Sequence, residues 1–261
     1  MRFDILPRMN DVQVRRFKMI CAFDGTNYYG WQTQSGVCSV QETIELLLAK
    51  IVKATKVNIH SSGRTDHGVH ARGMVFHTDL ITRMTERSLQ LALNARLPED
   101  IRILSCHVCA SDFHARFSVV AKEYRYSIWN TRILPPNKRL YHAHVVQPLD
   151  LALIEKALPY LIGTHDFKAF AANPNRVIGS TVRTIFDFSV RRRGSQVVFR
   201  VKGDGFLYKM VRSLSGFLIR VGSGIEKPET AGELLLPGNI RTARVPSAPP
   251  QGLTLWQVWY E

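Results

Sequence analysis

Gly63-Arg64-Thr65-Asp66-His67-Gly68-Val69-His70 stands between two segments that read as strands, Val57 to Ser61 and Met74 to His77. Two strands in succession with only a loop between them turn the reading away from a doubly wound sheet, which places a helix at each crossover. Upstream, Phe17 to Phe23 reads as a strand closed by the turn dipeptide Asp24-Gly25, and the aromatic loop Tyr28-Tyr29-Gly30-Trp31 follows. Ser39 and Glu42 have capping-box spacing, and Val40, Ile44, Leu47, Leu48 and Ile51 recur at the helical period. A second helix opens at Thr85-Glu86-Arg87-Ser88 and stops at Leu97-Pro98-Glu99-Asp100, before another strand.

Beyond residue 110, Ala121 to Trp129 alternates Tyr124, Tyr126 and Ile128 with Arg125, Ser127 and Trp129, as a strand with two unlike faces does. Pro135-Pro136 marks a loop, and a helix opens at Asp150 and runs to Leu161. Thr184 to Arg191 and Val197 to Lys202 read as a hairpin joined by Arg192-Arg193-Gly194-Ser195; Phe206 to Val221 follows as a long amphipathic helix, and Leu253 to Tyr260 as a last strand. This order predicts an α+β fold of antiparallel sheet with helices on one face, divided into residues 17–110 and 111–261. The first sixteen residues match no pattern and read as a flexible arm. Two strands end alike, in Asp24-Gly25 and in Asp204-Gly205, the mark of either a duplication or a chance resemblance.

The chain has 261 residues, and its 35 Lys and Arg against 21 Asp and Glu leave a formal charge of +14. That excess points to a polyanionic partner, and its interleaving with aromatics, as in Lys122-Glu123-Tyr124-Arg125-Tyr126, favours nucleic acid over a membrane surface. No apolar run reaches the ~20 residues a bilayer requires, and Met1-Arg2-Phe3-Asp4-Ile5 lacks the apolar core of a signal peptide, so the cytoplasm is expected. Cys106 and Cys109 alone have metal spacing, and their apolar flank reads as strand.

The loop around Asp66 concentrates chemistry. Its glycines permit unusual backbone, and Arg64 is close enough in sequence to hold the Asp66 carboxylate ionised, as a nucleophile or merely as a structural tie. His70 and His77 with Asp66 would be a conceivable metal set, although His77 in a strand, like His114 and His165 in separate segments, is better explained by packing. There is no phosphate-binding loop and no zinc-deaminase signature, so neither ATP nor metal is expected.

The Asp66 loop resembles the signature of the TruA-type tRNA pseudouridine synthases. So do Asp24-Gly25 with Tyr28-Tyr29-Gly30-Trp31-Gln32, Phe113-His114-Ala115-Arg116-Phe117-Ser118, Lys122-Glu123-Tyr124-Arg125-Tyr126, Asp166-Phe167-Lys168-Ala169-Phe170, Gly205-Phe206-Leu207-Tyr208-Lys209-Met210-Val211-Arg212, and Ala248-Pro249-Pro250-Gln251-Gly252-Leu253, in that order. The resemblance implies a homodimer of chains that each have two similar halves flanking a basic cleft. It implies a cofactor-independent isomerase that converts uridine to pseudouridine at positions 38–40 in the anticodon arm of tRNA. Asp66 would be the essential aspartate, Arg64 its salt-bridge partner, Tyr124 the ring that stacks on the target base and serves as acid or base, and Arg212 a second cation. Phe206 and Leu207 would line the pocket. A tRNA-binding protein of the same fold without catalysis is the alternative. His67 and Met74 depart from the pattern, which has a small residue and Gln there; His67 would crowd Asp66 or add a cation beside it.

Overall fold

The computed structural model describes residues 13–172 and 179–261; the other positions, including most of the expected arm, lie outside the described residues. In chain order the elements are β1 (Val14–Phe23), α1 (Val40–Val52), β2 (His60–Ser61), β3 (His70–Ile81), α2 (Glu86–Asn94), β4 (Ile101–Cys109) and β5 (Val119–Trp129). Then come β6 (Ala143–His144), α3 (Leu151–Leu161), β7 (Gly163–Asp166), β8 (Val182–Arg193), β9 (Gln196–Gly203), α4 (Met210–Gly222), α5 (Thr230–Leu234) and β10 (Leu253–Tyr260). Since β1 begins at Val14, the last three residues of the expected arm belong to the sheet.

The caps form as their side chains dictate: Ser39 Oγ accepts from Glu42 N, Thr85 Oγ1 from Ser88 N, and Asp150 Oδ1 from Ala152 N and Leu153 N. Two boundaries move. Only His60 and Ser61 of the expected strand Val57 to Ser61 pair with β3, and α4 starts at Met210, leaving Phe206 and Leu207 in the preceding turn. That turn is strained, for Lys209 takes the left-handed φ of 58° that non-glycine residues seldom adopt.

The strands join one continuous sheet in the order β4-β1-β3-β10-β5-β9-β8-β7, with β2 and β6 attached to β3 and β5. All neighbours on that path pair antiparallel except β10 with β3. Burial alternates along the strands, as in Phe17, Met19, Cys21 and Phe23 of β1 and Val197, Phe199 and Val201 of β9. The strands with the like Asp-Gly endings, β1 and β9, hold equivalent places, each between two antiparallel neighbours. Cys106 and Cys109 lie within β4. Among the described residues no helix is long and apolar enough to cross a membrane.

The C-terminal strand decides what faces what. Leu255 of β10 sits opposite Ala71 of β3 on one side and Tyr124 of β5 on the other. A residue just after the Asp66 loop is thereby held two strand spacings, ~10 Å, from Tyr124.

Candidate active site

Asp66 lies in the loop between β2 and β3, its side chain 18% exposed, and its Oδ2 accepts from Arg212 Nη1 at 2.8 Å. Arg212 projects from the first turn of α4 and is oriented by a second bond, Nε to the Ala248 carbonyl at 2.8 Å. Arg64 does not fill the role expected of it. It is exposed and, among the described residues, forms no ion pair with Asp66, because the side chain two positions away on a tight loop leaves on the solvent side.

The loop's own backbone sets Asp66. Val69 N donates to Asp66 O at 3.2 Å, closing a turn whose third residue, Gly68, has φ 74°, the position that favours glycine. The Tyr28–Trp31 loop supports it from behind: Trp31 N donates to Thr65 O and Gly68 N to Tyr28 O. Gly30, at φ 87°, lies so close that a β-carbon there would stand 2.4 Å from Thr65 O.

Two alternate residues of β5, Lys122 and Tyr124, face this loop, and the next, Tyr126, holds the segment before β10. Lys122 Nζ donates to Ser62 O at 2.6 Å, Tyr124 lies within the electrostatic reach of Asp66, and Tyr126 Oη donates to the Pro249 carbonyl at 2.8 Å. Burial first, then the Asp66 charge, pushes the Tyr124 phenol far up from its ordinary value, so it carries its proton at every physiological pH. Phe206 meets the Tyr124 ring edge-on at 5.2 Å, and Leu207, next in the chain, is buried. Burial, then Arg116 and Arg183, bring the Lys122 amine down to about 8.

The histidines separate into two networks. His70 Nδ1 accepts from Gly25 N and lies 3.1 Å from Asp24 Oδ1, while its Nε2 meets the Leu140 carbonyl. His77 accepts from Ala115 N and stacks against His60. Among the described residues, neither joins Asp66 in a shared ligand set. His67 does not crowd the aspartate: its Nδ1 donates to the Tyr28 carbonyl, its ring packs on Tyr29, and it lines a hollow of about 340 Å³ with Arg139 and Gln251. Met74 accepts the Ser62 hydroxyl at its sulfur. Arg192, at the end of β8, is structural, bonding Asn130 and the Leu149 carbonyl.

The site therefore joins a carboxylate, a guanidinium and a protonated phenol drawn from three separate parts of the chain. The family described as tRNA pseudouridine synthase matches residues 19–118 and 157–261. The chain belongs to the tRNA pseudouridine synthase family.

Among relatives, tRNA pseudouridine synthase A of Geobacillus kaustophilus is 41% identical over 247 residues, 95% of each chain. The enzyme named tRNA pseudouridine synthase A 1 in Desulfotalea psychrophila is 42% identical over 255 residues, covering 95% of this chain and 100% of its own. The crystal structure of the archaeal box H/ACA sRNP Nop10–Cbf5 complex matches 68% of this chain and 38% of its own at 15% identity and a TM-score of 0.31. Lys122, read in the sequence only as part of a basic–aromatic run, stands beside the Asp66 loop through its bond to the Ser62 carbonyl. Its period-two spacing from Tyr124 on one strand is the signal that would have found it.

Proposed function

We propose that the chain isomerises uridine to pseudouridine at positions 38–40 in the anticodon arm of tRNA, with Asp66 as nucleophile and without a cofactor. The observation that supports this reading is the Asp66–Arg212 pair beside the protonated Tyr124. Arg212 engages Oδ2 and, among the described residues, leaves Oδ1 without a partner, so the carboxylate is oriented yet keeps one oxygen for attack.

The reaction breaks the N1–C1′ bond of uridine, turns the uracil and forms C5–C1′; C5 loses a proton and N1 gains one, so no external reactant is consumed. A carboxylate can start this much as the nucleophile of a retaining glycosidase does. Tyr124, which retains its proton, acts as a donor to the uracil and offers a face for the extruded base, with Phe206 and Leu207 closing the pocket. Arg64, being exposed, contacts RNA phosphate rather than Asp66. Residues 17–110 and 111–261 act as two halves on either side of a basic cleft, in a homodimer working in the cytoplasm.

The test maps pseudouridine in unmodified tRNA incubated with pure protein, without added metal, for the wild type and Asp66→Asn. Product confined to the anticodon arm, lost in Asp66→Asn while tRNA binding persists, is expected. Product made equally by the variant removes Asp66 as nucleophile. Binding without any product from the wild type favours the non-catalytic alternative.

A further inference from the structure

Phe117 is 76% exposed, yet the loop that carries it is held on every side. Ser118 N donates to His114 O at 2.9 Å and His114 N donates to Ser118 Oγ at 3.1 Å. Arg116 N and Phe117 N both donate to His114 Nδ1, Ala115 N donates to His77 Nδ1, and Tyr260 Oη donates to the Ala115 carbonyl at 2.7 Å. A mobile surface loop would let a phenylalanine fold back onto the protein. This loop fixes the ring outward.

The ring rests on an aromatic base. Phe117 stacks on His114 with centroids 4.3 Å apart and planes at 29°, and His114 in turn meets His77 edge-on at 4.7 Å. His114 accepts two backbone N–H groups at Nδ1, so its proton sits on Nε2 and the imidazole is neutral. Burial and the nearby His60, Arg16 and Arg116 favour the same neutral form. Arg116, exposed, has its guanidinium carbon 5.6 Å from the Phe117 centroid and, among the described residues, has no carboxylate partner.

The loop also adjoins the catalytic one. Tyr260, which holds Ala115, meets the Ser62 side chain, and Lys122, which holds the Ser62 carbonyl, lies within the field of Arg116. An immobilised ring with an unpaired cation beside it, on a chain of formal charge +14, matches a nucleotide: a flat face for the base and a cation for its phosphate. The apolar face of a protein partner would leave Arg116 desolvated without a counter-charge.

We propose that Phe117 and Arg116 form a nucleotide-binding platform for an unpaired base of the tRNA substrate, separate from the pocket that receives the target uridine. The proposal rests on tRNA being the substrate. Stacking of one base by an aromatic ring corresponds to roughly a 5- to 150-fold difference in affinity.

The test measures equilibrium binding of an unmodified tRNA transcript across a salt series, with thermal unfolding and sedimentation, for the wild type, Phe117→Ala, Phe117→Trp and Arg116→Ala. Phe117→Ala should weaken binding within that range without changing the salt slope, since stacking releases no counterions. Phe117→Trp should retain wild-type affinity, and Arg116→Ala should lower the slope by about one. Affinity of Phe117→Ala within twofold of wild type at an unchanged unfolding midpoint overturns the platform, as does a change in sedimentation with tRNA affinity unaltered. Should the wild type itself neither bind nor modify tRNA, the substrate assignment fails instead.

Discussion

Arg212 Nη1 meets Asp66 Oδ2 at 2.8 Å across 146 residues of chain, and the same guanidinium is braced by the Ala248 carbonyl through Nε. One planar cation thus fixes a carboxylate to the segment leading into β10. A lysine has the charge but not the fork, so it cannot hold both acceptors at those angles. Arg212→Lys should lower kcat/KM by ~10- to 150-fold, the loss of one hydrogen bond to a charged group, with KM for tRNA nearly unchanged; steady-state assays of pseudouridine formation check this.

Arg64 calls for the opposite signature. Because its side chain is exposed, Arg64→Ala should leave the unfolding midpoint unchanged and reduce the salt slope of tRNA binding by about one. A large loss of kcat with binding intact would instead assign it a part in the chemistry.

Gly30 tests the support behind the catalytic loop. With φ 87° and a would-be β-carbon 2.4 Å from Thr65 O, Gly30→Ala must both strain its own backbone and displace the loop. We expect a loss of at least ~1–3 kcal/mol in urea unfolding, accompanied by a fall in kcat.

Lys122 predicts a pH dependence of rate. The amine, brought down to about 8, anchors the Ser62 carbonyl most strongly while charged. Activity should therefore decline as pH rises through about 8. Lys122→Met should be slower at neutral pH and lack this decline, as a pH–rate profile will show.

His77 predicts a pH dependence of stability. Burial, then His114 and Arg16, lower it from 6.5 to about 4, so as pH falls the unfolded chain takes up a proton before the folded one does. Its contribution is fully present above pH 6.5 and is lost as pH falls toward about 4. His77→Asn keeps an acceptor for Ala115 N without titrating, and its unfolding midpoint should fall less than the wild type's over that window.

Much of this was legible in local sequence because its causes are local. The Ser39, Thr85 and Asp150 caps act within one turn, and the alternation through Tyr124 and Tyr126 follows from the period of a strand. The Asp66 loop also announced itself, since Gly68 must supply a positive φ and the carboxylate stands among residues that serve chemistry. Of the residues the ordered motifs named, Arg212 pairs with Asp66, Tyr124 lies within its field, and Phe206 packs on Tyr124.

Tertiary structure alone decided which cation holds the carboxylate. Nearness in sequence favoured Arg64, but a tight turn sends side chains two residues apart in different directions, while α4 brings Arg212 in from far along the chain. It also decided that β10, the last strand, would lie between β3 and β5, for pairing partners of a strand depend on the whole sheet and not on its own residues. That insertion sets Leu255 between Ala71 and Tyr124, and so places the loop of Asp66 within reach of the ring that serves it.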